Sequence, residues 1–186
     1  MKFSNCFIPG VVIIEPTVFE DSRGYFFEVY NERQFKENGI TPTFVQDNQS
    51  KSTYGVIRGL HYQLNPYAQS KLVRVLEGSI LDICVDIRKG SPTFGKHYGL
   101  ELSSENRKQL FIPAGFAHGF SVLSQTAVVL YKCDHFYHKQ SEGGIRYNDP
   151  ALAIDWKVDL DKAPISDKDA ALPFISECLN NFTFSE

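Results

Sequence analysis

Two blocks that combine histidine with glycine limit the possible folds of this chain more than any other part of its sequence. The first block reads Gly55-x5-His61-x-Gln63-x7-Lys71-x6-Gly78, and the second reads Pro113-x-Gly115-x2-His118. Each block combines turn residues with polar side chains that can reach a common pocket. The pair of blocks therefore predicts a β-barrel with His61 and His118 in one pocket.

The spacing of the two blocks is similar to that of the cupin barrel, whose usual pattern contains three histidines and a carboxylate as metal ligands. Gln63 and Lys71 occupy the middle positions of the pattern in this chain. Three neutral imidazoles and a carboxylate suit a first-row metal. An ammonium group among the ligands would repel the ion, so we expect the barrel to be retained and the pocket to contain no metal.

The rest of the chain has the residue pattern of an all-β protein, with short apolar segments between turn residues. Apolar residues from Leu81 to Ile87 alternate with Asp82, Cys84 and Asp86, as expected for a strand with two unlike faces. Segments rich in Val, Ile, Phe and Tyr recur between turn residues. They predict strands at 11–14, 24–30, 43–46, 72–76, 79–87, 97–102, 109–112, 119–123 and 127–131.

Helical patterns are few. Residues 31–38 begin with Asn31 and precede Gly39, and residues 166–179 begin with Ser166, followed three positions later by Asp169, a variant of the capping box. Residues 147–164 show no sustained period and are expected to cover one barrel surface. The predicted fold is an all-β, cupin-type jelly-roll barrel with short peripheral helices near each end, in a single domain spanning residues 1–186.

Composition excludes several classes of function. Charged residues make up 22% of the chain, the formal net charge is -3 and no long run of like charge occurs, so we expect no nucleic-acid partner and no polybasic membrane surface. No apolar stretch is long enough to span a membrane. Four widely spaced cysteines favour a reducing compartment, and the first residues lack a convincing signal-peptide pattern. We expect a cytoplasmic protein.

Several residues are candidates for chemistry, and each also has an ordinary structural interpretation. In an extended segment His61 and Gln63 share one face, but His61 alone is equally well read as a hydrogen-bonded structural histidine. Lys71 alone would be a surface lysine, whereas an inward position would let it stabilise a developing negative oxygen. Tyr131 at a strand end is commonly a packing residue. Asp169 is also explained as the acid of a helix cap.

The motifs taken together strongly resemble the dTDP-4-dehydrorhamnose 3,5-epimerase family. The resemblance runs in order from about residue 13 to residue 173. It rests on 21–28 (DSRGYFFE), 44–48 (FVQDN), 58–63 (RGLHYQ), 71–74 (KLVR), 85–89 (VDIRK), 91–94 (SPTF), 112–120 (IPAGFAHGF), 130–132 (LYK) and 166–170 (SDKDA).

The resemblance implies a cofactor-free cupin jelly roll, usually a homodimer, that acts on a dTDP-sugar. The expected reaction inverts carbons 3 and 5 of dTDP-4-dehydro-6-deoxy-D-glucose through an enolate. Its product is dTDP-4-dehydro-L-rhamnose, a precursor of dTDP-L-rhamnose. Both carbons flank the 4-ketone, so a fixed cation can support the charge that forms on one shared oxygen.

The resemblance also implies a role for individual positions. His61 would be the general base in a dyad with Asp169, Tyr131 the acid on the opposite face of the sugar, and Lys71 the cation that stabilises the enolate. The positions that match substrate contacts are Arg23, Glu28, Gln46, Asp47, Asn48, Arg58, His118, Tyr137, Glu142 and Lys168. Tyr137 matches the aromatic residue that stacks on thymine, and an exchanged N-terminal segment would carry Arg23 and Glu28 to the partner's site.

Three other functions remain open from the sequence. The first is an epimerase acting at carbon 3 only, or a ketoisomerase, of another dTDP-deoxysugar pathway; Tyr131 disfavours it, because double inversion needs both an acid and a base. The second is a metal-dependent cupin oxygenase, which Gln63 and Lys71 disfavour. The third is a sugar-nucleotide binding module without catalysis.

Overall fold

Strands dominate residues 1–184, the part of the chain that this computed structural model describes; Ser185 and Glu186, the last residues of the predicted domain, lie outside it. Within the described residues there are two short α-helices, α1 (Glu32–Glu37) and α2 (Asp167–Ala170), and one 3₁₀ turn at Lys139–Ser141. The strands are β1 (Lys2–Asn5), β2 (Val12–Glu15), β3 (Val18–Asp21), β4 (Gly24–Phe27), β5 (Gln46–Thr53), β6 (Ile57–Gln63), β7 (Lys71–Glu77), β8 (Ser79–Asp86), β9 (His97–Ser103), β10 (Gln109–Ile112), β11 (Phe116–Val122), β12 (Thr126–Cys133) and β13 (Glu142–Gly144).

Two antiparallel sheets form the barrel. The larger has six strands in the order β1-β2-β10-β7-β12-β5, and the smaller has five in the order β13-β6-β11-β8-β9. Apolar side chains from both sheets pack together between them, among them Val73, Val75, Val129 and Phe120. Burial of this apolar surface is the main force that holds the sheets face to face. The all-β barrel with short helices near each end is therefore confirmed.

A second apolar cluster covers the outside of the five-stranded sheet. Trp156 is buried there against Ile57, Ile83 and Val85, and its indole nitrogen donates to the carbonyl of Tyr147 at 2.8 Å. The segment 147–164 contains no strand or helix and supplies this cover, as expected from its lack of period. Since the cover buries the apolar face of β8, the opposite face of β8 is left to line the barrel interior.

Helix α1 follows its sequence pattern closely. Asn31 is the N-cap and its side chain accepts a hydrogen bond from the backbone of Gln34. Phe35 is the buried residue of the helix, and Gly39 follows the C-cap with a φ of 82°. Glycine tolerates this left-handed conformation, which ends the helix where the sequence predicts.

Several predicted elements differ from the structure in their bounds; the strand predicted at 24–30, for example, ends at Phe27. The strand predicted at 43–46 is wrong, because the strand begins at Gln46 and continues to Thr53. This strand is an edge strand and carries polar residues on both faces, so it lacks the apolar alternation that marks a strand. The helix predicted at 166–179 is also wrong in extent, because α2 ends at Ala170. Pro173 disfavours a helical conformation at the preceding residue.

Within residues 1–184, no helix has both the length and the apolar character needed to cross a membrane.

Candidate active site

His61 and Asp169 form a hydrogen-bonded pair at the barrel opening. The Nε2 atom of His61 lies 2.7 Å from Oδ1 of Asp169, and the backbone amide of Gly59 donates to Oδ2 of Asp169 at 3.1 Å. Burial by itself would raise the pKa of Asp169, but the hydrogen bond and charge of His61, together with the Gly59 amide, hold this pKa below its ordinary value. The aspartate is therefore ionised at neutral pH and can stabilise an imidazolium at His61.

The short helix α2 positions the aspartate of this pair. The hydroxyl of Ser166 accepts a hydrogen bond from the backbone amide of Asp169 at 3.1 Å, which caps the helix as the sequence predicts. The carboxylate of Asp169 is consequently free to point toward β6 rather than back to its own backbone. The capping and dyad interpretations of this segment are thus compatible in the structure.

His118 lies beside His61 on the neighbouring strand. The two histidines are direct partners in the antiparallel pairing of β11 with β6, so their side chains share one face. His118 is buried, and its Nε2 atom lies 2.8 Å from Oδ1 of Asp82 on β8. Burial lowers the pKa of His118, and the nearby charge of Lys71 lowers it further despite Asp82, so the imidazole is neutral at neutral pH.

Asp82 is a site residue that our reasoning from the sequence missed. Its second carboxylate oxygen is buried and receives no hydrogen bond from the described residues. The sequence did contain a signal for Asp82, because it is an acidic residue inside an otherwise apolar strand. The alternation of the strand places Asp82 on the face opposite Leu81 and Ile83. A buried carboxylate of this kind needs a partner.

Lys71 and Tyr131 enter the same space from the six-stranded sheet. Lys71 pairs with Cys133 across β7 and β12, and Tyr131 lies two residues before Cys133, so both side chains share the inner face. The ammonium nitrogen lies 3.4 Å from the carbonyl oxygen of His61 and 5.9 Å from the centre of the Tyr131 ring. Lys71 is therefore the inward cation that its position in the sequence pattern predicts.

Burial shifts the pKa values of both groups. It lowers the pKa of the Lys71 ammonium, although Cys133 and Asp82 partly oppose the shift. It raises the pKa of the Tyr131 phenol, with a small opposing effect from Arg58. Tyr131 consequently remains protonated at neutral pH and can donate a proton.

Seven of the ten predicted substrate contacts line one of two cavities that share side chains. A cavity of about 300 Å³ brings together Arg58, His61, Lys71, His118, Tyr131, Lys168 and Asp169. A neighbouring cavity of about 160 Å³ shares His61, Lys71 and Tyr131 and adds Gln46, Asn48, Tyr137 and Glu142. Because the two cavities share three side chains, they form one continuous site, which we name the catalytic cavity.

Polar contacts hold the rim of the catalytic cavity. The guanidinium of Arg58 donates from Nε to the hydroxyl of Ser52 at 3.0 Å. The ammonium of Lys168 contacts both carboxylate oxygens of Glu142 at 2.9 Å. Both cations line the cavity, and a guanidinium and an ammonium can each donate charge-assisted hydrogen bonds to an anion.

Three predicted contact residues are not brought into the catalytic cavity by this chain. The side chain of Asp47 lies on the opposite face of β5 from Gln46 and Asn48, and it pairs with Lys132 at 3.0 Å. Arg23 and Glu28 line surface depressions beside the β3–β4 hairpin, which forms a sheet of its own. Arg23 contacts Asp21 at 2.6 Å, and Glu28 accepts a hydrogen bond from Asn31 at 2.7 Å.

The donor groups around the two histidines do not form a metal site. In residues 1–184, no group of three or more His, Cys, Asp or Glu side chains is arranged to hold a metal ion. The Gln63 amide is already bonded to the protein backbone, and the Lys71 ammonium occupies the space beside His61. The ligand set fits a cation-stabilised anion better than it fits a bound metal.

The family model described as dTDP-4-dehydrorhamnose 3,5-epimerase matches residues 5–177 of this chain. The chain belongs to this family. The family predicted from the sequence motifs is thereby confirmed, and so is the prediction that the protein is an isomerase with a cupin-type fold.

Individual members of the epimerase family are similar to this chain in sequence and in structure. The dTDP-4-dehydrorhamnose 3,5-epimerase of Shigella flexneri is 56% identical over 163 residues, which cover 87% of this chain and 89% of that protein. The crystal structure of the enzyme from Elizabethkingia anophelis has a TM-score of 0.92 at 54% identity and covers 95% of this chain and 97% of its own. The Legionella pneumophila 3,5-epimerase, solved in complex with dTDP-4-keto-L-rhamnose, has a TM-score of 0.91 at 49% identity, with coverage of 95% and 93%.

Proposed function

We propose that this epimerase inverts carbons 3 and 5 of dTDP-4-dehydro-6-deoxy-D-glucose to give dTDP-4-dehydro-L-rhamnose, in the route to dTDP-L-rhamnose. The observation that carries the proposal is the placement of a base and an acid on opposite sheets. His61, paired with Asp169, enters the catalytic cavity from β6, whereas Tyr131 enters it from β12. A sugar ring between the sheets would therefore present one face to each group.

The proposed chemistry uses only groups of the protein. His61 removes the hydrogen from carbon 3 or carbon 5, and Asp169 stabilises the imidazolium that forms. The electron pair moves onto the 4-ketone oxygen, where the Lys71 ammonium stabilises the enolate. Tyr131 then delivers a proton to the opposite face of the same carbon as the electron pair returns from the oxygen, which restores the ketone and completes the inversion. His61 is left protonated and Tyr131 is left as a phenolate; His61 then loses its proton to solvent and Tyr131 gains one from it.

The remaining contacts are assigned to the nucleotide and the diphosphate. We assign Arg58 and Lys168 to the diphosphate, and Tyr137 to the thymine ring. The other proposed substrate contacts are Gln46, Asn48, His118 and Glu142. Asp47 is given no contact, because its side chain faces away from the cavity and pairs with Lys132. No metal or other cofactor takes part in the proposed reaction.

A second copy of the chain would explain the position of Arg23 and Glu28. The β3–β4 hairpin exposes Phe19, Tyr25 and Phe26 by 63%, 60% and 70%, which is unusual for large apolar side chains of a monomer. A homodimer that exchanges this N-terminal segment would bury these rings and carry Arg23 and Glu28 to the partner's cavity. We propose this assembly, with residues 1–186 forming a single epimerase domain.

The location we propose is the cytoplasm. All four cysteines are free thiols, and Cys84 and Cys133 are buried. Unpaired thiols are typical of proteins kept in a reducing compartment.

The deciding experiment locates solvent hydrogen in the sugar. The protein is incubated in heavy water with the 4-keto substrate and excess chelator, and NMR then locates deuterium. We expect label at both carbon 3 and carbon 5, together with L-configured product. Label at carbon 3 alone would favour the monoepimerase, and loss of exchange that one added metal restores would contradict the metal-free mechanism.

The assignment of Tyr131 leads to a separate prediction. In Tyr131→Phe, His61 and Lys71 are unchanged, so substrate hydrogens should still exchange while formation of the L-sugar falls by about 10²-fold. Both rates are measured on one sample, with a 4-keto sugar reductase present to trap product. Tyr98→Phe, which removes a phenol on β9 outside the catalytic cavity, is the matched control. An equal fall in exchange and inversion would mean that Tyr131 only shapes the cavity.

A further inference from the structure

Gln63 is a buried glutamine that lies two residues after His61 on β6. Only 4% of its surface is exposed, and it occupies a position where the cupin spacing would place a metal ligand. Its amide nitrogen donates to the carbonyl oxygens of Tyr67 at 2.7 Å and Phe136 at 3.4 Å. Its amide oxygen accepts from the backbone nitrogen of His138 at 2.6 Å. The side chain therefore ties together the backbones of two loops.

The second of these loops, residues 134–138, also bonds to the opposite sheet. The amide oxygen of Gln46 on β5 accepts from the backbone nitrogen of Tyr137 at 3.0 Å. Tyr137 and His138 are consecutive, so two adjacent backbone N–H groups are held by glutamines from different sheets. Gln69 adds a bond to the carbonyl of His135 at 2.7 Å. These bonds leave the backbone of Tyr137 little freedom.

Aromatic contacts hold the same loop from the outside. The ring of His138 stacks on Tyr67 with a centroid distance of 3.8 Å and an interplanar angle of 11°. The ring of His135 meets Tyr67 edge-on at 5.5 Å. Tyr137, between the two histidines, keeps its own ring 53% exposed beside the catalytic cavity. A fixed backbone with an exposed ring is a preorganised surface for a flat ligand.

We propose that Gln63 is a positioning residue that fixes Tyr137 as a platform for the nucleobase and links this platform to the strand that carries His61. The inference rests on the proposed function, because it takes the flat ligand to be the base of a nucleoside diphosphate. Glutamine suits the role because one amide can both donate and accept. Methionine has neither group, and a glutamate carboxylate would face two carbonyl oxygens.

The test is a double-mutant cycle between Gln63 and Tyr137. The dissociation constant for thymidine 5′-diphosphate and the values of kcat and KM are measured for the wild type, Gln63→Met, Tyr137→Ala and the double variant. We expect Gln63→Met to raise Kd and KM about tenfold and to leave kcat within about twofold. In the Tyr137→Ala background, Gln63→Met should add almost nothing, since both changes remove the same contact.

Two further variants separate positioning from a loss of folding. His138→Ala keeps the backbone N–H that bonds Gln63 but removes the stack on Tyr67, so it should raise Kd in the same direction and by a smaller factor. Gln109→Met removes another buried amide, whose nitrogen donates to the carbonyl oxygen of Val29. The melting temperature of this variant measures how much stability the loss of a buried glutamine amide costs. Hydrogen exchange of the Tyr137 and His138 amides should speed up in Gln63→Met without any ligand.

Each alternative outcome has a distinct meaning. If the effects of Gln63→Met and Tyr137→Ala multiply, Gln63 does not act through Tyr137 and the proposal fails. A fall in kcat with unchanged Kd would also overturn it, because Gln63 would then act on proton transfer. If the wild type binds no thymidine 5′-diphosphate, the proposed function fails instead, and faster amide exchange in Gln63→Met would still show that the glutamine holds the loop.

Discussion

Replacement of His61 by Asn is expected to lower hydrogen exchange at carbons 3 and 5 by about 10²- to 10⁴-fold, because the variant lacks the proposed general base. Asparagine is smaller than histidine and can still accept or donate one hydrogen bond, so Asp169 keeps a polar neighbour. The fold should survive, since His61 lies at the cavity surface with 36% of its side chain exposed. Binding of thymidine 5′-diphosphate should remain close to that of the wild type.

The measurement for His61→Asn is deuterium incorporation at each carbon, followed by NMR under single-turnover conditions. His97→Asn is the matched control, because His97 lies on β9, away from the catalytic cavity. Asp169→Asn should give a smaller loss than His61→Asn, since the base remains but loses the charge that stabilises its protonated form. Near-normal exchange at both carbons in His61→Asn would remove this residue from the mechanism.

Replacement of Lys71 by Met is expected to lower both exchange and inversion by about 10²- to 10³-fold, because the proposed enolate loses its fixed positive charge. Both rates should fall together, since both pass through the same enolate. This parallel loss distinguishes Lys71 from Tyr131, whose replacement should affect inversion more than exchange. Lys96→Met, which removes an exposed lysine remote from the cavity, is the matched control.

Lys71→Met should also leave the fold at least as stable as the wild type. Burial lowers the pKa of Lys71 in the folded protein below its ordinary value of 10.5, so the unfolded chain binds this proton more tightly. The ammonium therefore costs stability below the folded pKa, and the cost disappears as the pH rises toward 10.5. Methionine removes this cost. Thermal unfolding at pH 7 and pH 10 measures it, and strong destabilisation at pH 7 would show that the charge stabilises the fold.

The sequence by itself predicted the fold class and most of the residues that the structure brings together in the cavity. Period-two alternation around Asp82 and turn residues such as Gly78 are local signals, and they are sufficient to indicate strands and their ends. The spacing of the two blocks that contain His61 and His118 predicted that their imidazoles share one pocket. Strand pairing preserves such spacing, because partners on neighbouring strands face the same side of a sheet.

Local patterns failed where tertiary contacts decide the conformation. The strand β5 has polar residues on both faces, since one face borders the catalytic cavity and the other faces outward, so no apolar period marks it. The helix α2 is only one turn long; besides its local Ser166 cap, long-range bonds of Asp169 with His61 and with the backbone amide of Gly59 tie it to β6. Neither cause can be read from neighbouring residues.

Only the tertiary structure assigned partners to the polar residues. Sequence spacing gives no distance between Asp82 and His118, or between Gln63 and the loop before His138, because these contacts join segments 36 and 75 residues apart. The sequence established which groups are present: two histidines, a tyrosine, a lysine and an amide where a metal ligand is usual. Folding decided which of these polar groups lie within hydrogen-bond distance of each other. The physical reason is that a buried donor or acceptor needs a partner, and the two sheets determine which segments are near enough to supply one.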